Sequence, residues 1–182
     1  MIELSLHILD IVENSTRAGA KRVYIDIIED TRRDLLSIEI RDNGSGMSED
    51  VLKKATDPFF TTKTVRNVGL GLPMLAQAAE RTGGRFILES KSGEGTRVVA
   101  EFKLSHIDRQ PLGNIASTLV TLVAGNTDVD FIYRHRHNDR KYILDTRVIK
   151  KEIGDLPINH VKVLTFIREN VEGGLKDIGA EA

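Results

Sequence analysis

At 182 residues, 40% hydrophobic and 29% charged, the chain has the composition of a folded globular protein, with room for one large domain or one domain plus an appendage. A formal net charge of −1 gives no field for nonspecific binding to nucleic acid or an anionic membrane, and no apolar run reaches the length of a bilayer span. The absence of cysteine excludes disulfides, thiolate zinc sites and cysteine nucleophiles.

Leu4, Ile8, Ile11 and Val12 recur at helical spacing and predict a helix over residues 4–18, ended by Gly19 as a left-handed cap. The same segment lacks a basic start and a small-residue cleavage site, so the cytoplasm is the expected location. His7 sits among apolar positions and is expected to pack. Asp10 and Asn14, four residues apart, share a face, with Arg17 three further on. A carboxylate, a carboxamide and a cation so arranged can hold a hydrated magnesium ion and phosphates, or simply form a solvated face.

Val23, Ile25 and Ile27 alternate as a strand, 29–34 reads as a charged turn, and Leu36, Ile38 and Ile40 alternate as the next strand. That strand runs into Asp42-Asn43-Gly44-Ser45-Gly46. The glycines suit a tight hairpin turn; they equally suit a site where a flat ligand lies on bare backbone and Asp42 accepts an exocyclic amine such as that of adenine. Ser48 opens a short helix over 48–56. Phe59-Phe60-Thr61-Thr62-Lys63 fits neither helix nor central strand and predicts an ordered loop presenting Lys63. Gly69-Leu70-Gly71 precedes an apolar helix through Leu75, Ala76 and Ala79, which leaves backbone N–H groups open to an anion or permits tight packing. The spacing is neither a P-loop nor a dinucleotide fingerprint. Phe86, Leu88 and Ser90, then Val98, Ala100 and Phe102, form a hairpin. Residues 1–104 thus predict an α/β (α+β) two-layer sandwich, helices on one face of a mixed sheet.

Residues 105–182 read as a C-terminal extension behind a linker at 108–113: an apolar helix over 113–124, a hairpin over 129–144, and helices over 146–153 and 159–172. The hairpin is expected to extend the sheet or to form a small layer of its own. Acidic and basic residues balance here, eleven of each, so no broad basic face exists. The run Arg134-His135-Arg136-His137 is open to three readings: a metal site, a surface for an acidic partner or RNA, or a solvated hairpin end.

Taken together, the four glycine- and asparagine-bearing stretches resemble the ATP-binding (Bergerat) domain shared by histidine kinases, type II topoisomerases and mismatch-repair ATPases. Ile11-Val12-Glu13-Asn14-Ser15 is similar to the asparagine box, Asp42-Asn43-Gly44-Ser45-Gly46 to the first glycine box, and Gly69-Leu70-Gly71-Leu72 to the second. Asp57-Pro58-Phe59-Phe60-Thr61-Thr62-Lys63 resembles the phenylalanine box of the histidine-kinase branch, and Gly95-Thr96 the last glycine-threonine element. Four such motifs in order are specific where each alone is weak.

The resemblance, which spans about residues 4–104, implies ATP and Mg2+ as cofactors, with Asn14 holding the metal. It implies Asp42 on the adenine amine with Gly44, Gly46 and Thr96 around it, Gly69, Leu70 and Gly71 at the phosphates, and Arg17 and Lys63 reaching phosphate oxygens. Asp10 stands where the hydrolysing branches carry a glutamate that activates water, one methylene shorter, and Glu13 is the second candidate base. Histidine kinases place a helical hairpin with the phospho-accepting histidine ahead of the box; here the box begins near Met1, so the acceptor is expected on another chain. The expected function is that of a kinase or nucleotide-driven switch acting on a separate partner protein. An interaction module shaped by ATP and a self-contained ATPase of the mismatch-repair type are the alternatives. A homodimer is a further arrangement; membrane and nucleic-acid partners are not expected.

Overall fold

A computed structural model describes residues 3–57 and 70–182. Among these, six strands form one mixed sheet in the order β3-β4-β2-β1-β5-β6. Helix α1 (Leu4–Arg17) leads into the antiparallel pair β1 (Arg22–Asp30) and β2 (Leu35–Asp42). Short α2 (Glu49–Lys54) and α3 (Gly71–Arg81) follow, then the hairpin β3 (Arg85–Lys91) and β4 (Gly95–Lys103), with β4 antiparallel to β2. Beyond residue 104 come α4 (Ile115–Gly125), the hairpin β5 (Asp130–His137) and β6 (Arg140–Asp145), α5 (Thr146–Ile153) and α6 (Val161–Ile178). No helix among the described residues is long and apolar enough to cross a membrane.

The period-2 pattern sorts the sheet into two faces. Val23, Ile25 and Ile27 on β1, Leu36, Ile38 and Ile40 on β2, and Val98, Ala100 and Phe102 on β4 are all buried. They meet Leu4, Ile8, Ile11 and Val12 of α1 and Leu75 and Ala79 of α3 in one core. The opposite face carries charges that neutralise one another. Arg97 bonds Glu39 at 3.0 and 3.1 Å and Glu89 at 2.8 Å, Asp26 takes Arg134 and Arg41, and Arg41 lies 4.9 Å over the Tyr24 ring.

The 129–144 hairpin extends the sheet: β5 pairs in parallel with β1, from Arg22↔Asp130 to Glu29↔His137. The apolar helix expected at 113–124 spans Ile115–Gly125, starts at Asn114, whose side chain accepts from Ser117 N–H at 2.8 Å, and packs between α1 and α6.

Further boundaries differ from expectation. The segment 29–34 is not wholly a turn, because β1 continues to Asp30 and Glu29 keeps the inward phase of its strand, 4% exposed. The short helix starts after Ser48, whose side chain makes no capping hydrogen bond, and ends at Lys54. The last helix does not stop at 172. It runs through Gly173-Gly174 to Ile178, because Gly174 lies flat against the Tyr142 ring, where a Cβ would come within 2.1 Å, and Tyr142 Oη donates to Asn170 Oδ1 at 2.5 Å. The left-handed stop is Gly179, φ 74°.

Candidate functional site

The C-terminal half of α1, the end of β2, the turn after it, α2 and the start of β4 enclose a cavity of about 440 Å³. That volume lies in the range of small-molecule sites, roughly 300–1,000 Å³. Its apolar walls include Ile11, Ile40, Leu72 and Val98, and Asn14, Arg17, Asp42, Gly46 and Thr96 supply its polar groups. Five of the residues singled out in the sequence therefore meet around one space.

Asp42 is carried to the rim by register. It follows Leu36, Ile38 and Ile40 on the inward face of β2 and is the last residue of the strand. Its carboxylate is fixed from two sides: Ser15 Oγ donates to Oδ2 at 2.6 Å, and the Gly44 N–H donates to Oδ1 at 2.8 Å. The turn beyond is built with the same economy. Asn43 Oδ1 accepts the backbone N–H groups of Lys21 and Arg22 at 2.9 and 2.8 Å, and Ser45 N–H donates to Ala18 O at 2.9 Å. These bonds tie the turn to the end of α1. Gly46 has φ 66°, and a Cβ there would stand 2.0 Å from Lys91 O, so no other residue fits without moving the β3–β4 loop. Ser90 Oγ accepts Met47 N–H at 2.8 Å and lies 2.8 Å from Thr96 Oγ1, which joins the turn to Thr96.

The remaining candidates are placed as follows. Asp10, one turn before Asn14, packs its carboxylate against Gly71, the first residue of α3; a Cβ on Gly71 would lie 1.8 Å from Asp10 Oδ2. Leu70 occupies the residue before α3, where no side chain caps the helix. Glu13 is paired along the helix: its Oε2 accepts from Arg17 Nη2 at 3.2 Å, with the two side chains 41% and 49% exposed. Lys63, Gly69 and the Phe59-Phe60 loop lie outside the described residues. His7 is 1% exposed and its Nε2 bonds Gln110 Oε1 at 3.0 Å, in keeping with a packing role.

Ser15, Asn43 and Ser90 were not foreseen. Ser15 and Asn43 lie inside motifs singled out in the sequence, but their partners are 27 and 21–22 residues away, and nothing local announces the contacts.

What the arrangement offers chemically is a cavity with apolar walls, a pinned carboxylate acceptor and a carboxamide. At the far end of the helical wall lies an uncapped helix start.

A family model described as "Histidine kinase-, DNA gyrase B-, and HSP90-like ATPase" matches residues 2–106. Among curated proteins, the chain is 42% identical over 79 residues to "Sensor kinase CckA" of Brucella abortus (strain 2308), a match covering 43% of this chain and 8% of that protein. It is 36% identical over 92 residues to "Sensor protein DegM" of Bacillus sp. (strain B21-2), covering 50% and 24%. It is 42% identical over 64 residues to "Sporulation kinase E" of Bacillus subtilis (strain 168), covering 35% and 8%. The matches thus span a quarter or less of these relatives. Among solved structures, the N-terminal domain of a DNA repair protein superposes with a TM-score of 0.56 at 16% identity, over 96% of this chain and 59% of that one, which is a likeness of fold.

Proposed function

Because the chain belongs to the histidine kinase-, DNA gyrase B- and HSP90-like ATPase family, with the Bergerat-type two-layer fold, we propose that it binds ATP with Mg2+ and acts on a separate protein, as a kinase or as a nucleotide-driven switch. The observation that carries this reading is the fixed carboxylate of Asp42 on the wall of the cavity. Two of its acceptor positions are taken by Ser15 and Gly44, and a carboxylate has about four. The adenine amine is a donor that suits those left over.

The donor set fits both groups. Ile11, Ile40 and Val98 offer the flat apolar surface a purine needs. Asn14 supplies one amide oxygen, sufficient for an ion that keeps several of its waters. ATP supplies the transferable phosphoryl group, and the chain's own residues orient and polarise it. Asp42 and Thr96 select and orient the base, Asn14 holds the metal, and Arg17 adds a positive charge at the cavity. Gly44 and Gly46 keep the adenine wall free of side chains, and Leu70 and Gly71 offer backbone N–H groups at the start of α3. Gly69 and Lys63 complete the proposed phosphate contacts. Of the two candidate bases we favour Asp10, whose carboxylate lies beside Gly71, over Glu13, which is paired with Arg17. In this reading residues 1–104 form the nucleotide-binding unit and 105–182 its extension.

Calorimetric titration of the purified chain with ATP, with and without Mg2+, is the first test; no binding in either condition overturns the reading. A pull-down in the presence of ATP, followed by transfer of labelled γ-phosphate, then separates the mechanisms. Label on a recovered protein identifies a kinase, and binding without transfer identifies a switch or an ATP-shaped interaction module. Release of inorganic phosphate by the chain alone identifies the third mechanism, a self-contained ATPase.

A further inference from the structure

The end of the sheet remote from the cavity holds a buried polar chain. Tyr133 Oη lies 2.5 Å from His135 Nδ1, and His135 Nε2 lies 2.6 Å from Glu29 Oε1, the last two side chains being 0% and 5% exposed. Glu29 has a further partner: the backbone N–H of Glu181 donates to Oε1 and Oε2 at 3.1 and 3.3 Å. The carboxylate of Glu181 in turn accepts Arg109 Nη1 and Nη2 at 3.2 and 2.7 Å and the N–H of Leu112 at 3.1 Å. The segment before it is also held, Ile178 O by His137 Nδ1 at 2.9 Å and Asp177 O by Arg140 at 3.2 Å.

The residues that receive this segment also seat α1. A helix leaves its first N–H groups without partners inside the helix, and Glu3 at the N-cap position makes no side-chain capping bond. Instead Leu4 N–H donates to Pro111 O at 3.0 Å and Ser5 N–H to Leu112 O at 2.8 Å, and His7 reaches Gln110. Arg109 ties the linker down from the other side, through Leu104 O at 2.7 Å and Gln110 O at 3.0 Å. Glu29 thus holds Glu181, Glu181 holds Arg109 and Leu112, and the linker holds the start of α1. At the other end of that helix stand Asn14, Ser15 and Arg17.

We propose that residues 179–181 form a releasable strap whose seating on Glu29 and Arg109 fixes the position of α1, and with it the nucleotide affinity of the cavity at the far end of the helix. The proposal rests on the nucleotide reading above. A helix of 14 residues is a stiff rod of about 21 Å, so a shift at its start is felt at its end. The strap is accessible: Gly179 is exposed and the Glu181 side chain is 32% exposed. Its core anchor is not: beneath the seated strap Glu29 is 4% and His135 0% exposed. Coupling of this kind is reciprocal, so nucleotide binding must tighten the strap by the same factor that the strap tightens nucleotide binding.

The test uses the full chain, wild type and Glu181→Ala, with Glu181→Gln as a milder variant that keeps an acceptor for Leu112. Amide exchange at Leu4, Ser5 and Glu181 reports the seating, and calorimetric titration reports ATP affinity. The expected result is exchange at Leu4 and Ser5 accelerated about tenfold in Glu181→Ala, and ATP bound about five- to tenfold more weakly, at the lower end of ordinary allosteric effects. Glu181→Gln falls between, and saturating ATP slows exchange of the Glu181 amide in the wild type. A merely structural role lowers the thermal midpoint and leaves ATP affinity within twofold, and that outcome overturns the proposal. Unchanged exchange at Leu4 and Ser5, or no effect of ATP on the Glu181 amide, also overturns it. A wild type that binds no adenine nucleotide defeats the nucleotide reading together with the proposal, whereas equal ATP binding by wild type and variants defeats the proposal alone.

Discussion

Asp42 receives one hydroxyl and one backbone N–H, so its plane is set by the fold rather than by a ligand. Replacing Asp42 with Asn keeps the shape but turns a donor toward the adenine amine. A hydrogen bond to a charged group contributes about 1.5–3 kcal/mol, so ATP should bind roughly 10- to 150-fold more weakly and lose its advantage over GTP, as competition titrations would report. Ser15→Ala removes only the orienting hydroxyl, and a few-fold loss is expected in the same titration. Asn14→Ala should weaken binding measured with Mg2+ and leave metal-free binding nearly intact; equal losses in both would remove the metal assignment. At this scale the sequence was legible where chemistry and local geometry coincide, as in a carboxylate at a strand end followed by glycines. It was not legible where a contact spans the chain. Ser15 reads as a helix residue like any other until β2 brings Asp42 beside it.

Among the elements, α6 is the clearest case of packing overruling local preference. Two adjacent glycines ordinarily weaken a helix interior, each by about 1 kcal/mol relative to alanine, yet Gly173 and Gly174 lie within α6. They are not equivalent. Nothing lies within 4 Å of a Cβ on Gly173, whereas one on Gly174 would meet the Tyr142 ring. Gly173→Ala should stabilise by up to about 1 kcal/mol, and Gly174→Ala should destabilise by about 1–3 kcal/mol through overpacking; urea midpoints of the two variants would show opposite signs. The histidine-arginine run on β5 follows the same logic. Arg134 and Arg136 take the outward phase, and His135 and His137 the inward one. The inward pair is engaged by Tyr133, Glu29 and Ile178 O, and no group of three metal-ligating side chains forms among the described residues. Alternation in the sequence carried that division. What it lacked was the identity of the neighbour, since Glu29 lies 106 residues before His135.

On the scale of the whole molecule, the acid limb of stability follows from two buried groups. Burial lowers the pKa of His7 below its ordinary 6.5, and His7 Nδ1 has no hydrogen-bond partner among the described residues. Burial pushes the Glu29 carboxyl up, but the bonds from His135 and Glu181 N–H, with the charges of His135 and His137, outweigh it and hold the pKa below the ordinary 4.5. In both cases the unfolded chain takes up the proton first. Stability is therefore fully present above about pH 6.5, declines as pH falls below it, and declines again below about pH 4.5 until the folded Glu29 itself titrates. Urea midpoints between pH 4 and 8 should follow this course, and His7→Gln should remove the upper decline. The two-layer architecture was legible because each strand of residues 1–104 alternates on its own. The place of the extension was not, because parallel pairing with β1 leaves no hairpin signal next to either strand.

That pairing also bears on how the chain is made. β1 lies inside the finished sheet, between β2 and β5, and its partner on one side is about a hundred residues later in the chain. At a synthesis rate of about 5–20 residues per second, β1 waits roughly 5–20 s with one row of amides and carbonyls unmatched. During that interval it is an edge, able to recruit a β1 or β5 from another nascent copy. The period of greatest exposure to misassembly therefore falls before β5 is synthesised, and any holding chaperone would have most to protect between residues 22 and 30.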